Sequence, residues 1–121
     1  MKLRIQGDSV RLRLTRSEVA GLHKNGIVEE TAHFGDGRSL TYGIRKRSGV
    51  GDIRAELTAG SISVHVPATT IDGWATSDDV GISARDGVLR IAIEKDFRCL
   101  ARASGEVERD TYPHPAEHTN S

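Results

Sequence analysis

The sequence predicts an α+β fold dominated by strands. Two ββαββ repeats with pseudo-twofold symmetry would form a sandwich or a partly closed barrel. Three observations predict it. Residues 2–15, KLRIQGDSVRLRLT, alternate apolar and polar with period two about a turn, and residues 54–67, RAELTAGSISVHVP, do the same 52 positions later. A short helical pattern follows each hairpin. Residues 39–46, SLTYGIRK, then align with residues 88–95, VLRIAIEK, at an offset of 49. Self-similarity at a period near 50 points to duplication of one supersecondary unit.

Each element has its own signal. In the first hairpin Leu3 and Ile5, then Val10, Leu12 and Leu14, share one face; Ala55, Leu57, Ile62, Val64 and Val66 take those places in the second. Residues 15–26 open with Thr15 and Glu18 at capping-box spacing, place Val19 and Leu22 on one helical face, and stop at Asn25-Gly26. Residues 67–78 put Ile71 and Trp74 at the equivalent positions, and Val80 corresponds to Val28. The terminal strands match as Leu40 with Leu89, Tyr42 with Ile91, Ile44 with Ile93 and Lys46 with Lys95. The glycine-rich stretches GDGRS (35–39) and RSGVGD (47–52) read as hairpin turns, since no helix pattern follows to make a phosphate loop. The domain is expected to span residues 1–101, with repeats over 2–46 and 54–95. Residues 102–121, low in apolar side chains, read as a loosely ordered tail.

Composition bounds the function. A chain of 121 residues is one domain long, no apolar run approaches the ~20 residues of a membrane helix, and the first residues lack a signal-peptide core. A cytoplasmic protein is expected, and a single cysteine agrees with a reducing compartment. The 17 basic and 17 acidic residues cancel, but residues 1–52 carry ten against six and the remainder seven against eleven. This argues against chain-wide attraction to nucleic acid and leaves room for a basic face in the first half.

An opening like MKLRIQGDSVRLRLTRSEV, a middle with FG and LTY, and an end with EKDFRCL and a D-x-aromatic-P-x-P tail together resemble a family of small uncharacterised bacterial proteins of about this length. The most specific pieces are residues 9–15 with Glu18-Val19, residues 94–100, and residues 110–115. The resemblance implies a stand-alone bacterial protein and carries no catalytic residue over. The family's tail commonly reads Phe-Pro-Asn-Pro; here it is Tyr112-Pro113-His114-Pro115.

The candidate residues fall into three groups. The first is the motif Glu94, Lys95, Asp96, Phe97 and Cys99, with Asp110 and Tyr112 from the tail. Strand parity sets Phe97 and Cys99 inward with Ile91 and Ile93, and Glu94, Asp96 and Arg98 outward, if the strand runs on. Cys99 then reads as a buried small hydrophobe, and Asp96 as solvated and paired with Arg98. Lys95 and Lys46 both carry charge on the inward parity. The second group is His114 and His118, spaced for a metal but flanked by prolines that oppose the helix such a pair needs. The third is a basic stripe, Lys2, Arg4, Arg11, Arg13 and Arg45, all on outward parity. That stripe fits an acidic protein, a small anion or, as a homodimer, an acidic patch such as Asp78-Asp79. Aromatic residues that could stack bases are missing from it, which argues against nucleic acid.

No cofactor is expected. The function predicted is a non-enzymatic binding module using the basic sheet face. The alternative is an enzyme or redox or metal sensor centred on Glu94, Asp96 and Cys99.

Overall fold

Each half of the chain sets one short helix between two strand pairs, as its periodicities require. A computed structural model describes residues 1–49 and 51–97. Among them β1 (Lys2–Ile5) and β2 (Ser9–Leu14) form the first hairpin, followed by α1 (Arg16–Asn25), β3 (Ile27–His33) and β4 (Ser39–Arg47). The second half runs β5 (Arg54–Thr58), β6 (Ser61–Pro67), α2 (Ala68–Ala75), β7 (Gly81–Asp86) and β8 (Leu89–Lys95).

The eight strands make two open four-stranded sheets, ordered β1-β2-β8-β7 and β3-β4-β6-β5. Neither closes into a barrel. Each sheet takes its first hairpin from one half of the chain and its second from the other. The central pairs, β2 with β8 and β4 with β6, are parallel; all other pairs are antiparallel. Leu12 stands opposite Ile93, and Val64 opposite Ile44. Because β6 lies between β4 and β5, the segment joining them is a crossover and not the hairpin turn expected of residues 47–52. The other turn expectation holds: β3 and β4 pair around 34–38, where the Phe34 N–H donates to the Arg38 carbonyl at 2.8 Å.

α1 begins and ends where its capping signals lie. The Thr15 hydroxyl accepts from the Glu18 N–H, and the Glu18 carboxylate accepts from the Thr15 N–H at 2.8 Å. Gly26 closes the helix in the left-handed conformation, φ 85°, which a side chain would strain. α2 starts after Pro67 with no side-chain cap.

One core joins both sheets and both helices: Leu12, Leu14, Val19, Leu22, Ile44, Val64, Val66, Ile71, Trp74, Ile91 and Ile93. Burying side chains of this size contributes about 1.5–3 kcal/mol each before chain entropy is counted. The core stops short of the edge-strand ends. Ile5 and Leu57, expected on the buried face, are 56% and 78% exposed. Val80 is likewise exposed and precedes β7, unlike its expected counterpart Val28, which lies within β3 against the core. At the sheet edges the Ala55 N–H donates to the Asp86 carboxylate at 3.0 Å, tying β5 to β7.

Candidate functional site

The outer face of the first sheet follows from strand parity. Val10, Leu12, Ile91 and Ile93 point into the core, so their neighbours point out. Pairing aligns these outward residues in rows across the strands. One row runs Lys2, Arg13, Glu94, Gly81; the next Arg4, Arg11, Ala92, Ser83; the third continues Ser9, Arg90, Arg85. Six cations and one carboxylate thus share the face. Lys2 faces Arg13, Arg4 faces Arg11, and Arg85 faces Arg90, each directly across an antiparallel pair. Side chains so placed stand about 4.5–5.5 Å apart at Cβ, and like charges there destabilise a sheet.

The carboxylate relieves part of this. Glu94 lies 3.3 Å from the Arg13 guanidinium and 3.7 Å from that of Arg11. Lys2 reaches Asp96 at 3.9 Å, and Arg4 donates to the Gln6 side-chain oxygen at 3.4 Å. Among the described residues, Arg85 and Arg90 lie within ion-pair distance of no carboxylate. A shallow depression of about 520 Å³ is lined by both of them and by Ser9, Arg11, Ser83 and Ala92, among others.

Four of the five cations of the expected stripe therefore meet. Arg45 does not. It lies on β4, in the other sheet, 3.8 Å from Glu29, because β4 pairs with β3 and β6 rather than with the first hairpin. Arg85 and Arg90 were missed. The signal for them was local: Ser83 and Arg85 alternate outward, and Asp86-Gly87 marks a tight turn that sets Arg85 against Arg90.

The motif after β8 departs from its expected parity. β8 ends at Lys95, although the Asp96 N–H still donates to the Leu14 carbonyl at 2.7 Å. Asp96 is buried, 9% exposed, and not the solvated carboxylate expected; Phe97, expected inward, is 48% exposed. The strand ladder no longer dictates direction once the strand stops. Glu94 is held by arginines, so Glu94 and Asp96 do not stand as an unengaged acid–base pair. Cys99, Asp110, Tyr112, His114 and His118 lie outside the described residues. So does the Arg98 partner expected for Asp96.

The two inward lysines find distinct partners. Lys46 donates to the Asp72 carboxylate at 2.8 Å and to the His23 carbonyl at 2.7 Å, while His23 Nδ1 lies 2.8 Å from the same Asp72 oxygen. The Lys46 hydrogen bond, with that of His23, holds the Asp72 carboxyl below the usual carboxylate range. Lys95 donates to the Ser77 carbonyl at 2.8 Å and sits over the Trp74 ring, 5.4 Å from its centroid. These bonds explain how charge is tolerated on the core side of both strands.

At the N-terminus, the Met1 amine lies 2.6 Å from Glu18 and 3.1 Å from Glu30. Burial raises the Glu18 carboxyl, but hydrogen bonds from the Met1 amine and the Thr15 N–H outweigh it and leave the group lowered. Burial and the nearby Glu30 carboxylate raise the Tyr42 phenol.

Among the described residues no cluster of three or more His, Cys, Asp or Glu side chains could hold a metal ion, and no helix is long and apolar enough to cross a membrane. No curated protein and no solved structure matches the chain. Residues 1–116 match the family of unknown function DUF7009, and the chain belongs to that family.

Proposed function

We propose that the protein is a non-enzymatic binding module whose outer face on the first sheet docks an anionic partner, an acidic protein surface or a small anion. The observation that carries this reading is the set of three like-charge pairs placed directly across strands, Lys2 with Arg13, Arg4 with Arg11, and Arg85 with Arg90. Such pairs cost stability in the free protein, and an anion seated on them reverses the sign of that contribution. A second copy of the chain is one source of acid, through the exposed pair Asp78-Asp79. The absence of aromatic side chains from the face argues against single-stranded nucleic acid as the partner.

The test is anisotropy of fluorescein-labelled poly-L-glutamate titrated with the protein at low and moderate salt. The wild type should bind, and binding should weaken as salt rises. The double variant Arg4→Glu, Arg11→Glu should bind at least about tenfold more weakly, since each reversal replaces an attraction with a repulsion. Equal binding by the two proteins sinks the reading.

The two halves are also taken as copies of one ββαββ unit. Support comes from the registers: Leu14 stands opposite Lys95 where Val66 stands opposite Lys46, as the offsets of 52 and 49 require. Ile5 and Leu57, equivalent by offset, are exposed alike.

A further inference from the structure

The depression beside Arg85 and Arg90 has more definition than the charged face around it. Its lining includes three small side chains, Ser9, Ser83 and Ala92, and three arginines, Arg11, Arg85 and Arg90. The register places them together. Ser9 stands opposite Arg90, Ala92 stands opposite both Arg11 and Ser83, and Arg85 stands opposite Arg90. Two hydroxyls and three planar forks offer donors from several directions, which suits a tetrahedral dianion with three terminal oxygens better than a planar carboxylate with two. Arginine rather than lysine at all three charged positions offers the bidentate geometry that phosphate accepts. The carboxylate on the face, Glu94, is one outward position further along β8 from Ala92, about 7 Å away, and is engaged by Arg13.

We infer that this depression binds the phosphate group of an organic phosphate. The inference rests on the reading of the face as an anion-docking surface and narrows it to one ligand chemistry at one end. Arg85 and Arg90, which meet no carboxylate among the described residues, supply the principal charge. Arg11 contributes the part of its guanidinium that Glu94 leaves open. Ser9 and Ser83 donate as well. The organic part of the ligand lies over Ala92 and points out to solvent, because the depression is shallow.

The experiment is a ¹H–¹⁵N NMR titration of the full chain with phenyl phosphate, and with benzoate as the planar comparator. Shifts should concentrate at residues 9–11 and 83–92, and phenyl phosphate should bind about tenfold or more tighter than benzoate. Arg90→Gln should weaken phenyl phosphate binding about tenfold, while Arg4→Gln, on the same face but outside the depression, should change it less than about twofold. Ser83→Asp, which places a carboxylate in the lining, should abolish phosphate binding with a native spectrum retained. All three positions face solvent, so the variants keep the core. Equal binding of phosphate and benzoate, or equal losses in Arg4→Gln and Arg90→Gln, overturns the inference; poly-L-glutamate binding that persists in that case leaves the broader reading standing. If poly-L-glutamate also fails to bind, the broader reading falls with it.

Discussion

Single residues carry consequences that differ sharply with their surroundings. Leu12 is fully buried between the sheets and helices, so Leu12→Ala should cost about 2–5 kcal/mol. Leu57→Ala, at a position of the same expected parity, should change stability by less than about 0.5 kcal/mol, because its side chain is 78% exposed. Urea unfolding of the two variants distinguishes the cases. Trp74 poses a different question. Its ring is buried, yet its indole N–H has no hydrogen-bond partner among the described residues. Trp74→Phe removes that donor and keeps an aromatic body, so it should cost well under the about 3–5 kcal/mol expected of Trp74→Ala. Equal losses in the two variants would overturn this expectation. Asp72 supplies a pH prediction. Its carboxyl is lowered in the folded protein by Lys46 and then His23. A depressed folded value contributes stability above the ordinary carboxylate range, and that contribution is lost as pH falls through the depressed value. The difference in melting temperature between wild type and Asp72→Asn should therefore be largest near neutral pH and shrink in acid. The oddity of Lys46 was legible as a charge on the inward parity. Its partners were not, because Asp72 and His23 come from two helices whose approach no local pattern reports.

At the scale of elements, what could be read was what short-range chemistry decides. The limits of α1 were legible because Thr15, Glu18 and Gly26 are terminus signals independent of the rest of the fold. Thr15→Ala should cost about 1 kcal/mol by leaving the Glu18 N–H without its acceptor, and Thr15→Ser should cost much less. Far-ultraviolet circular dichroism during thermal unfolding reads both. The β3–β4 pairing has a constraint that no periodicity announces. A Cβ at Gly43 would collide with the Val28 carbonyl oxygen and the Glu29 side chain on the neighbouring strand. Gly43→Ala should destabilise by about 1–3 kcal/mol and loosen amide protection in β3, whereas Gly35→Ala, with open space around it, should not. The end of β8 was misread for a complementary reason. Alternation predicts direction only while a strand continues, and after Lys95 the orientations of Asp96 and Phe97 are set by packing.

For the whole molecule, the pairing of remote hairpins was the part hidden from sequence. Alternation identifies both faces of β2 and β8 but does not say that they are neighbours. Arg45 was therefore grouped with a sheet it does not join, and Arg85 and Arg90 were left out of the one they do. Since each sheet needs hairpins from both halves, neither half holds a complete sheet. Residues 1–47 alone should give no folded monomer by circular dichroism. If the halves are copies, that fragment should fold only as a dimer in sedimentation, β2 of one chain lying beside β4 of the other. A folded monomer would contradict the first expectation. The parallel pairing of β2 with β8 also bears on how the chain is made. Arg13 and Glu94, which meet across that pair, are 81 residues apart. A ribosome releases the first hairpin long before β8 exists, so the hairpin's inner edge waits without its partner until almost all of the described chain has emerged. Contacts of such long range slow folding and extend the time for which an unpaired edge is open to mispairing. The arginines flanking that edge, Arg11 and Arg13, repel copies of themselves on neighbouring nascent chains. The charge crowded on the finished face thus also blunts the unfinished edge.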